Sequence, residues 1–461
     1  MAWTPWQHQR YTVDKFRSTE IGLDFSDPGT GKTSAHIGLY DALPHKGRLL
    51  VSCPTTLMRT AWAADIDRFF PHLTYSIADA KHRFEAFEAK TDVVIINTDG
   101  VKAITDKYKT PAQLRKFLAD FNQLTIDEST AYKHQSSARS KSAYKISQCI
   151  PRKFALSGTP NPISVTELWH QAMLIDDGKR LGPSFFRFRN AMQDSIQVGP
   201  QANHLQWTDK EQANELVMYL LQDILVRHEF EEVMTDVPPN HVDFKWIELP
   251  PKLYRQYKQL EEEMSLLVEG DKQINAVHAA SLRTKLLQLC SGAVYDGEGN
   301  YVVLDPFRYQ LIADLVEERD HSVVFFNWKH QKDELSKHFT TRGISFAVID
   351  GDVHERERPK IVEDYQAGRY QTLLLHPKTG AHGLTLTRGT TSILSSPMYE
   401  ADYFKQTIHR IYRGGQTEVT NTLLVGAMRT VEELVYGQLL GKKARMTDFL
   451  TLVAQLKQQG I

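Results

Sequence analysis

The chain has 461 residues, with 55 Lys and Arg against 56 Asp and Glu. That length suits roughly two to four compact units. The net charge of −1, with 24% charged and 41% hydrophobic residues, excludes a disordered or fibrous chain. Cys53, Cys149 and Cys290 lie far apart with no CxxC pair, which excludes a disulfide framework and a local zinc motif. No apolar run approaches the ~18 residues of a membrane span, and the opening MAWTPWQHQR has no apolar core of the signal-peptide kind. The expectation is a soluble cytoplasmic protein with no membrane partner, compatible with a monomer, with no protein partner indicated.

The first informative element is a short apolar strand, Ile21 to Phe25, that runs into Ser26-Asp27-Pro28-Gly29-Thr30-Gly31-Lys32-Thr33 and then a helical segment. Glycines let successive backbone N–H groups turn toward one point, and the helix N-terminus that follows favours an anion. Lys32 then supplies a charge for the β- and γ-phosphates and Thr33 a hydroxyl for Mg²⁺. Asp27, Gly29, Thr30, Gly31, Lys32 and Thr33 are therefore the candidate nucleotide-binding residues. Ser26 departs from the usual pattern, which has Gly or Ala six positions before the lysine.

Further strands follow at Leu49 to Cys53, Val93 to Asn97, Leu124 to Asp127 and Lys153 to Ser157, the rhythm of a parallel sheet with crossover helices. The third ends in Asp127-Glu128. There an acid can hold Mg²⁺ and its neighbour can polarise an attacking water. Lys133, Arg139, Lys141, Lys145, Arg152 and Lys153 come next without an intervening acid; they fit a phosphate-tracking face and equally a solvated helix.

From about Pro162 to Glu318 the pattern is helical, with segments Asp209 to Val226, Pro251 to Val268 and Asn275 to Leu289. Pro238-Pro239 interrupts that region and marks the expected domain boundary. The strand rhythm returns at Val323 to Asn327, Phe346 to Asp350, Thr372 to His376, Thr391 to Ser395 and Thr420 to Val425. The domains are thus expected at 1–237, with a helical insertion from about 162, and at 238–461, with a helical segment to about 318. In the second, Arg410 and Arg413 are three apart and would share a helix face suited to a transferring phosphoryl group.

The motifs PWQHQ, DPGTGKT, SCPTTLMRTAW, VVIINTDG, TIDESTAYKH, ALSGTPNPISVTELW, SVVFFNW, IDGDVHERER, LLLHPKTGAHGLTLT and QTIHRIYRGGQ occur in the order found in superfamily 2 helicase-like ATPases. With TVEELVYGQLLGKK they make the chain resemble the Swi/Snf-type DNA translocases. The resemblance implies an α/β fold of two RecA-like parallel-sheet lobes in tandem, with helical insertions between them, and ATP with Mg²⁺ as cofactors. It implies Gln9 as the adenine-contacting residue, Lys32 and Thr33 at phosphate and metal, Asp127 at the metal, Glu128 on the water, and Arg410 and Arg413 arriving from the second lobe. Ser157, Gly158 and Thr159, with Gly380, Gly383 and Gln406, would couple hydrolysis to lobe motion. Thr130, Tyr399 and Ala401 depart from the family pattern.

Ligands of open α/β sheets gather beyond the carboxyl ends of the strands. Thr55, Asn97 and Thr98, and then Asn327, Trp328, Lys329, Lys378 and Thr379, are accordingly the candidate nucleic-acid contacts, made to backbone phosphate and therefore with little sequence specificity. Trp3, Trp6, Trp62, Trp169, Trp207 and Trp246 read as packing anchors, and His376, His382 and His409 as polar contacts or core residues. The expected function is an ATP-dependent motor on duplex DNA that remodels bound proteins or branched DNA, in a bacterial cell or phage-infected host. A strand-separating or branch-migrating helicase, and a nucleotide-gated DNA-binding scaffold, remain the alternatives.

Overall fold

The computed structural model describes residues 3–44, 47–160, 164–198, 201, 204–263, 265–268, 272–275, 279–296, 298–354, 356–380, 384–398 and 401–440. It divides into two compact units, the first ending at Thr235 and the second beginning at Asp236. Among the described residues no helix is long and apolar enough to cross a membrane.

In the first unit the strands are β1 (Ile21–Asp24), β2 (Arg48–Cys53), β3 (Tyr75–Ala78), β4 (Val93–Asn97), β5 (Phe121–Ile126), β6 (Arg152–Leu156), β7 (Gln193–Gln197), β8 (Leu205–Asp209) and β9 (Leu225–Val226). Seven of them form one sheet in the order β3-β4-β2-β5-β6-β1-β9, and every pairing in it is parallel. Such a sheet is covered on both faces, which explains its continuous apolar runs. Leu49 and Val51 join one core with Val93, Ile95 and Phe154, while Leu50, between them, joins the other with Val94, Leu124 and Ile126. Because the strands are parallel, the loops after β1, β2, β4, β5 and β6 all emerge at one edge.

In the second unit the strands are β10 (Asn240–Ile247), β11 (Ser265–Val268), β12 (Lys272–Asn275), β13 (Ala293–Tyr295), β14 (Tyr301–Val303), β15 (Ser322–Phe325), β16 (Phe346–Ile349), β17 (Thr372–Leu375), β18 (Thr391–Leu394) and β19 (Thr420–Ala427). Six form a second sheet in the order β10-β19-β18-β15-β17-β16, also parallel throughout. Its core gathers Val324, Leu374, Ile393, Leu423 and Val425 against Ile312 and Leu335. An ion pair of Arg308 with Glu432, both side chains 0% exposed, sits beneath it. That pair is tied to the chain by Arg308 Nη1 donating to Ser395 O and Ala427 N donating to Glu432 Oε2.

Two parallel sheets in tandem agree with the expected fold class. The region read as helical needs correction. The helix expected over Asp209 to Val226 is Ala213–Leu221, and Leu225–Val226 is a strand paired with Leu23 and Asp24. Asn240–Ile247 is an eight-residue strand paired with Thr420–Ala427. The later helices are Pro251–Glu263 and Ala279–Cys290, so that Val268 ends β11 and Asn275 ends β12 in an antiparallel hairpin between them. In each case strand pairing with a distant segment outweighs the local pattern.

Candidate active site

The phosphate loop joins β1 to helix Lys32–Asp41. Gly29 (φ 85°) and Gly31 (φ 76°) hold left-handed backbone that other residues adopt only under strain. A Cβ on Gly31 would also lie 2.3 Å from Gln9 Nε2. Lys32 Nζ donates to Ser26 O at 2.6 Å and Asp27 O at 3.0 Å, so the ammonium lies across the loop that it would serve. Thr33 is half-buried in the first turn of the helix. Thr30 Oγ1 donates to Asp27 O at 2.8 Å, and Thr30 O contacts His8 Nε2 at 2.8 Å.

Gln9, from helix Gln7–Ser18, is buried, and its amide ties that helix to the loop. Oε1 accepts from Trp6 N (2.9 Å), while Nε2 donates to Gly31 O (3.0 Å) and Ser34 Oγ (3.1 Å). Beneath the loop, Asp24 Oδ2 contacts His36 Nε2 at 3.2 Å, and Oδ1 accepts from Ser26 N at 3.1 Å. Burial opposes its ionisation. The bond and charge of His36, the charge of Lys32 and the Ser26 bond outweigh burial and hold Asp24 well below the usual carboxylate range.

Three features that sequence reasoning did not assign complete the loop. Asp27, expected at the nucleotide, turns its carboxylate inward: Oδ1 meets Arg227 Nη1 at 2.6 Å and Oδ2 accepts from Phe230 N at 3.0 Å. Arg227 also donates to Phe25 O at 2.8 Å. Ser26, the departure from the motif, is buried and accepts from His228 N at 3.1 Å. The segment after β9 therefore braces the phosphate loop from residues some 200 positions away in sequence.

At the end of β5, Asp127 Oδ1 accepts from Glu128 N (3.0 Å) and Oδ2 from Trp62 Nε1 (2.9 Å). Trp62, read as a packing anchor, is fully buried in a π-helical turn, Met58–Ala63, and also orients the acid. Burial and the neighbouring Glu128 push Asp127 up to about 6, against the opposing pull of Trp62 and Lys32. Glu128 has φ 50° and ψ 55°, a left-handed conformation that costs a non-glycine residue energy and persists where neighbours fix it. From the loop after β6, Ser157 N donates to Asp24 O at 3.0 Å, and Thr159 N donates to Ser157 Oγ at 3.1 Å. Gly158 lies so close that a Cβ there would meet Pro28 Cδ at 2.8 Å.

Thr55 is exposed at the start of helix Thr55–Leu57, beyond β2. Asn97 ends β4, and Thr98 is buried, its N–H on Cys53 O and its carbonyl accepting from Tyr132 Oη. All three lie on the sheet edge that carries the phosphate loop. The basic stretch is not one open face: Lys133 pairs with Glu167, Arg139 with Asp99 and Lys153 with Asp177, and Arg152 donates to Phe16 O. Lys141 and Lys145 are the exposed members, on helix Ala138–Ser147.

In the second unit Asn327, Trp328, Lys378, Pro397 and Tyr403 line one pocket beyond the ends of β15, β17 and β18. Asn327 Nδ2 is engaged inside the unit, donating to Ser396 Oγ at 2.9 Å and Pro397 O at 3.0 Å. Lys329 is exposed in the first turn of helix Lys329–Arg342, and Thr379 N bonds His376 O. Gln406 is buried in helix Ala401–Ile408, and Gly380 ends the short helix Pro377–Gly380. Gly383, His382 and Tyr399 lie outside the described residues.

Arg410 and Arg413 do not share a helix face, because helix Ala401–Ile408 ends before them. They converge in the following turn: Nη1 of each donates to Leu384 O at 3.1 Å, and Arg410 Nε donates to Gln406 O at 2.8 Å. The other tryptophans differ from one another. Trp169 donates to Gly182 O, and Trp207 lies under the Arg189 guanidinium at 3.8 Å. Trp6 is 46% and Trp246 37% exposed, but Trp246 still packs, stacked on Phe244 at 5.0 Å and edge-on to Tyr436.

A phosphate loop and an acidic strand end on one parallel sheet, followed in the chain by a second such sheet, are the arrangement of a helicase-like ATPase. The SNF2-related domain matches residues 8–291, and the helicase conserved C-terminal domain matches residues 308–415. The chain belongs to the SNF2-related family and is an ATPase of that class. Phage protein p41 of Acyrthosiphon pisum secondary endosymbiont phage 1 is similar at 26% identity, with 89% of each chain covered. An uncharacterized ATP-dependent helicase of Mycoplasma pneumoniae is 24% identical over 84% of this chain and 35% of its own length. Among solved structures, the Sulfolobus solfataricus SWI2/SNF2 ATPase core in complex with dsDNA aligns with a TM-score of 0.46 at 18% identity, covering 97% of this chain and 93% of that one.

Proposed function

We propose that the protein is an ATP- and Mg²⁺-dependent motor that moves along double-stranded DNA without strong sequence specificity, remodelling bound proteins or branched DNA. One observation carries this reading: the phosphate loop, the Asp127-Glu128 pair and the polar loop residues Thr55, Asn97 and Thr98 all belong to one edge of one sheet. Nucleotide and a polyanion would then be served by adjacent loops on a rigid support.

Asp127 and Glu128 repel each other in a buried setting, which a hard dication with oxygen ligands relieves, so the residues present fit Mg²⁺. Thr33 and Asp127 would hold it. When bound it neutralises phosphate charge. Lys32 would exchange its carbonyl partners for the β- and γ-phosphates, and Glu128 would orient the attacking water. Arg410 and Arg413 would act on charge that develops in the transition state. Ser157, Gly158, Thr159, Gly380, Gly383 and Gln406 would link that cycle to movement, and Asn327, Trp328, Lys329, Lys378 and Thr379 would contact DNA backbone. The setting we propose is the cytoplasm of a bacterial cell or phage-infected host.

The test is the ATPase rate with no nucleic acid, single-stranded, linear duplex and forked DNA, and RNA, each at two salt concentrations. Strong stimulation by linear duplex, weakened by salt, is expected, followed by displacement of a triplex strand. Stimulation by single strands or forks alone would replace the duplex motor with a strand-separating helicase. Turnover indifferent to every nucleic acid would favour a nucleotide-gated scaffold.

A further inference from the structure

Helix Thr166–Asp176 runs beside the acidic turn, and its Gln171 is 0% exposed. The amide bridges two loops. Oε1 accepts from Ser129 Oγ at 2.6 Å, while Nε2 donates to Pro160 O at 2.7 Å and to Glu167 O at 3.0 Å. Ser129 follows Glu128 directly, and Pro160 closes the Ser157-Gly158-Thr159-Pro160 loop that abuts Pro28 of the phosphate loop. One side chain thus joins the loop after β5 to the loop after β6. The same helix holds the acidic turn at one more point, through the Lys133–Glu167 pair at 2.6 Å. Glu128 meanwhile sits in left-handed backbone, which needs such support.

We propose that Gln171 is a positioning residue that locks the Glu128 turn to the Ser157-to-Pro160 loop, so that the water-orienting carboxylate and the support of the phosphate loop move as one body. Gln171 acts through Ser129 and Pro160, not on the nucleotide itself. The inference rests on the reading of Glu128 as the residue that orients the water. A buried amide that merely satisfied polar neighbours would contribute stability and leave kcat alone.

Gln171→Met removes both arms of the bridge at similar volume, and Ser129→Ala removes one. The measurements are steady-state ATP turnover with and without linear duplex DNA, affinity for a fluorescent ATP analogue, and Tm. In each single variant kcat should fall about tenfold, as expected for loss of a link made good only in the transition state. KM and nucleotide affinity should stay within about twofold of the wild type, because uniform binding is untouched. The double variant should be no slower than Gln171→Met, because both residues belong to one link. Wild-type kcat with only a lower Tm, or losses that multiply in the double variant, would overturn the proposal. If Gln171→Met does not fold, Ser129→Ala carries the same kcat test. Failure of the underlying reading shows separately, as near-wild-type turnover in Glu128→Gln.

Discussion

Replacing Arg227 with Met tests whether the segment after β9 holds the phosphate loop. The Arg227 side chain is 3% exposed, and it binds Asp27 Oδ1 at 2.6 Å and Phe25 O at 2.8 Å. Methionine fills much of the same space but leaves the Asp27 carboxylate, 11% exposed, without its guanidinium. Removing one partner of a buried ion pair costs about 3–5 kcal/mol, or a fall of roughly 6–20 °C in the Tm of a unit of this size. Asp27→Asn in the Met background removes the orphaned charge, so the double variant should recover about 2 kcal/mol relative to the sum of the single losses. Thermal unfolding of the four proteins, with binding of a fluorescent ATP analogue to each, measures both effects. Affinity should weaken in Arg227→Met along with stability, because the loop loses its brace. A cost under about 1 kcal/mol, the value of an exposed pair, or strict additivity in the double variant, would refute the reasoning.

Trp62→Phe keeps an aromatic side chain but removes the donor on Asp127 Oδ2 and part of a fully buried indole. The lost bond alone should cost about 1.5–3 kcal/mol in thermal unfolding, with the void adding to it, and the Mg²⁺ concentration needed for half-maximal turnover should rise. Asp127 titrates near 6 in the fold against ~3.9 when unfolded, so ionising it destabilises the native state, with the cost growing above pH 4 and complete above about pH 6. The Tm of nucleotide-free Asp127→Asn minus that of the wild type should therefore rise between pH 4 and pH 7, and a difference constant with pH would contradict this. Arg413→Ala should lower kcat with ATP still bound, in a turnover and binding assay run together. Arg410→Ala should in addition lower Tm, because Arg410 is buried on Gln406 O.

What the sequence disclosed and what it hid divide along physical lines. A phosphate loop is a local backbone device, so Gly29, Gly31 and Lys32 are legible from eight residues. Likewise the buried parallel strands announce themselves as apolar runs. The brace by Arg227 and the Trp62 bond to Asp127 join residues 200 and 65 positions apart, and no spacing rule reaches that far. Asn240–Ile247 did carry a signal. Val242, Phe244 and Trp246 alternate with His241, Asp243 and Lys245, the period of a half-exposed strand, but it lay inside a stretch dominated by helical periodicity. Arg410 and Arg413 were placed on a helix by their spacing alone, whereas the chain leaves the helix at Ile408 ahead of Gly414-Gly415, a pair that favours a turn.

The order of the second sheet sets a timetable for synthesis. β10 is the first strand of its unit to leave the ribosome, and its sole partner in that sheet, β19, is the last, with Asn240 facing Thr420 and Ile247 facing Ala427. The two strands start 180 positions apart, so at roughly 5–20 residues per second the wait between them is about 9–36 s. During that interval a strand edge bearing Val242, Phe244 and Trp246 stays unpaired, the kind of edge that recruits other chains. Asp243 and Lys245 alternate with those apolar residues, and charge placed along an unpaired strand in this way disfavours such pairing.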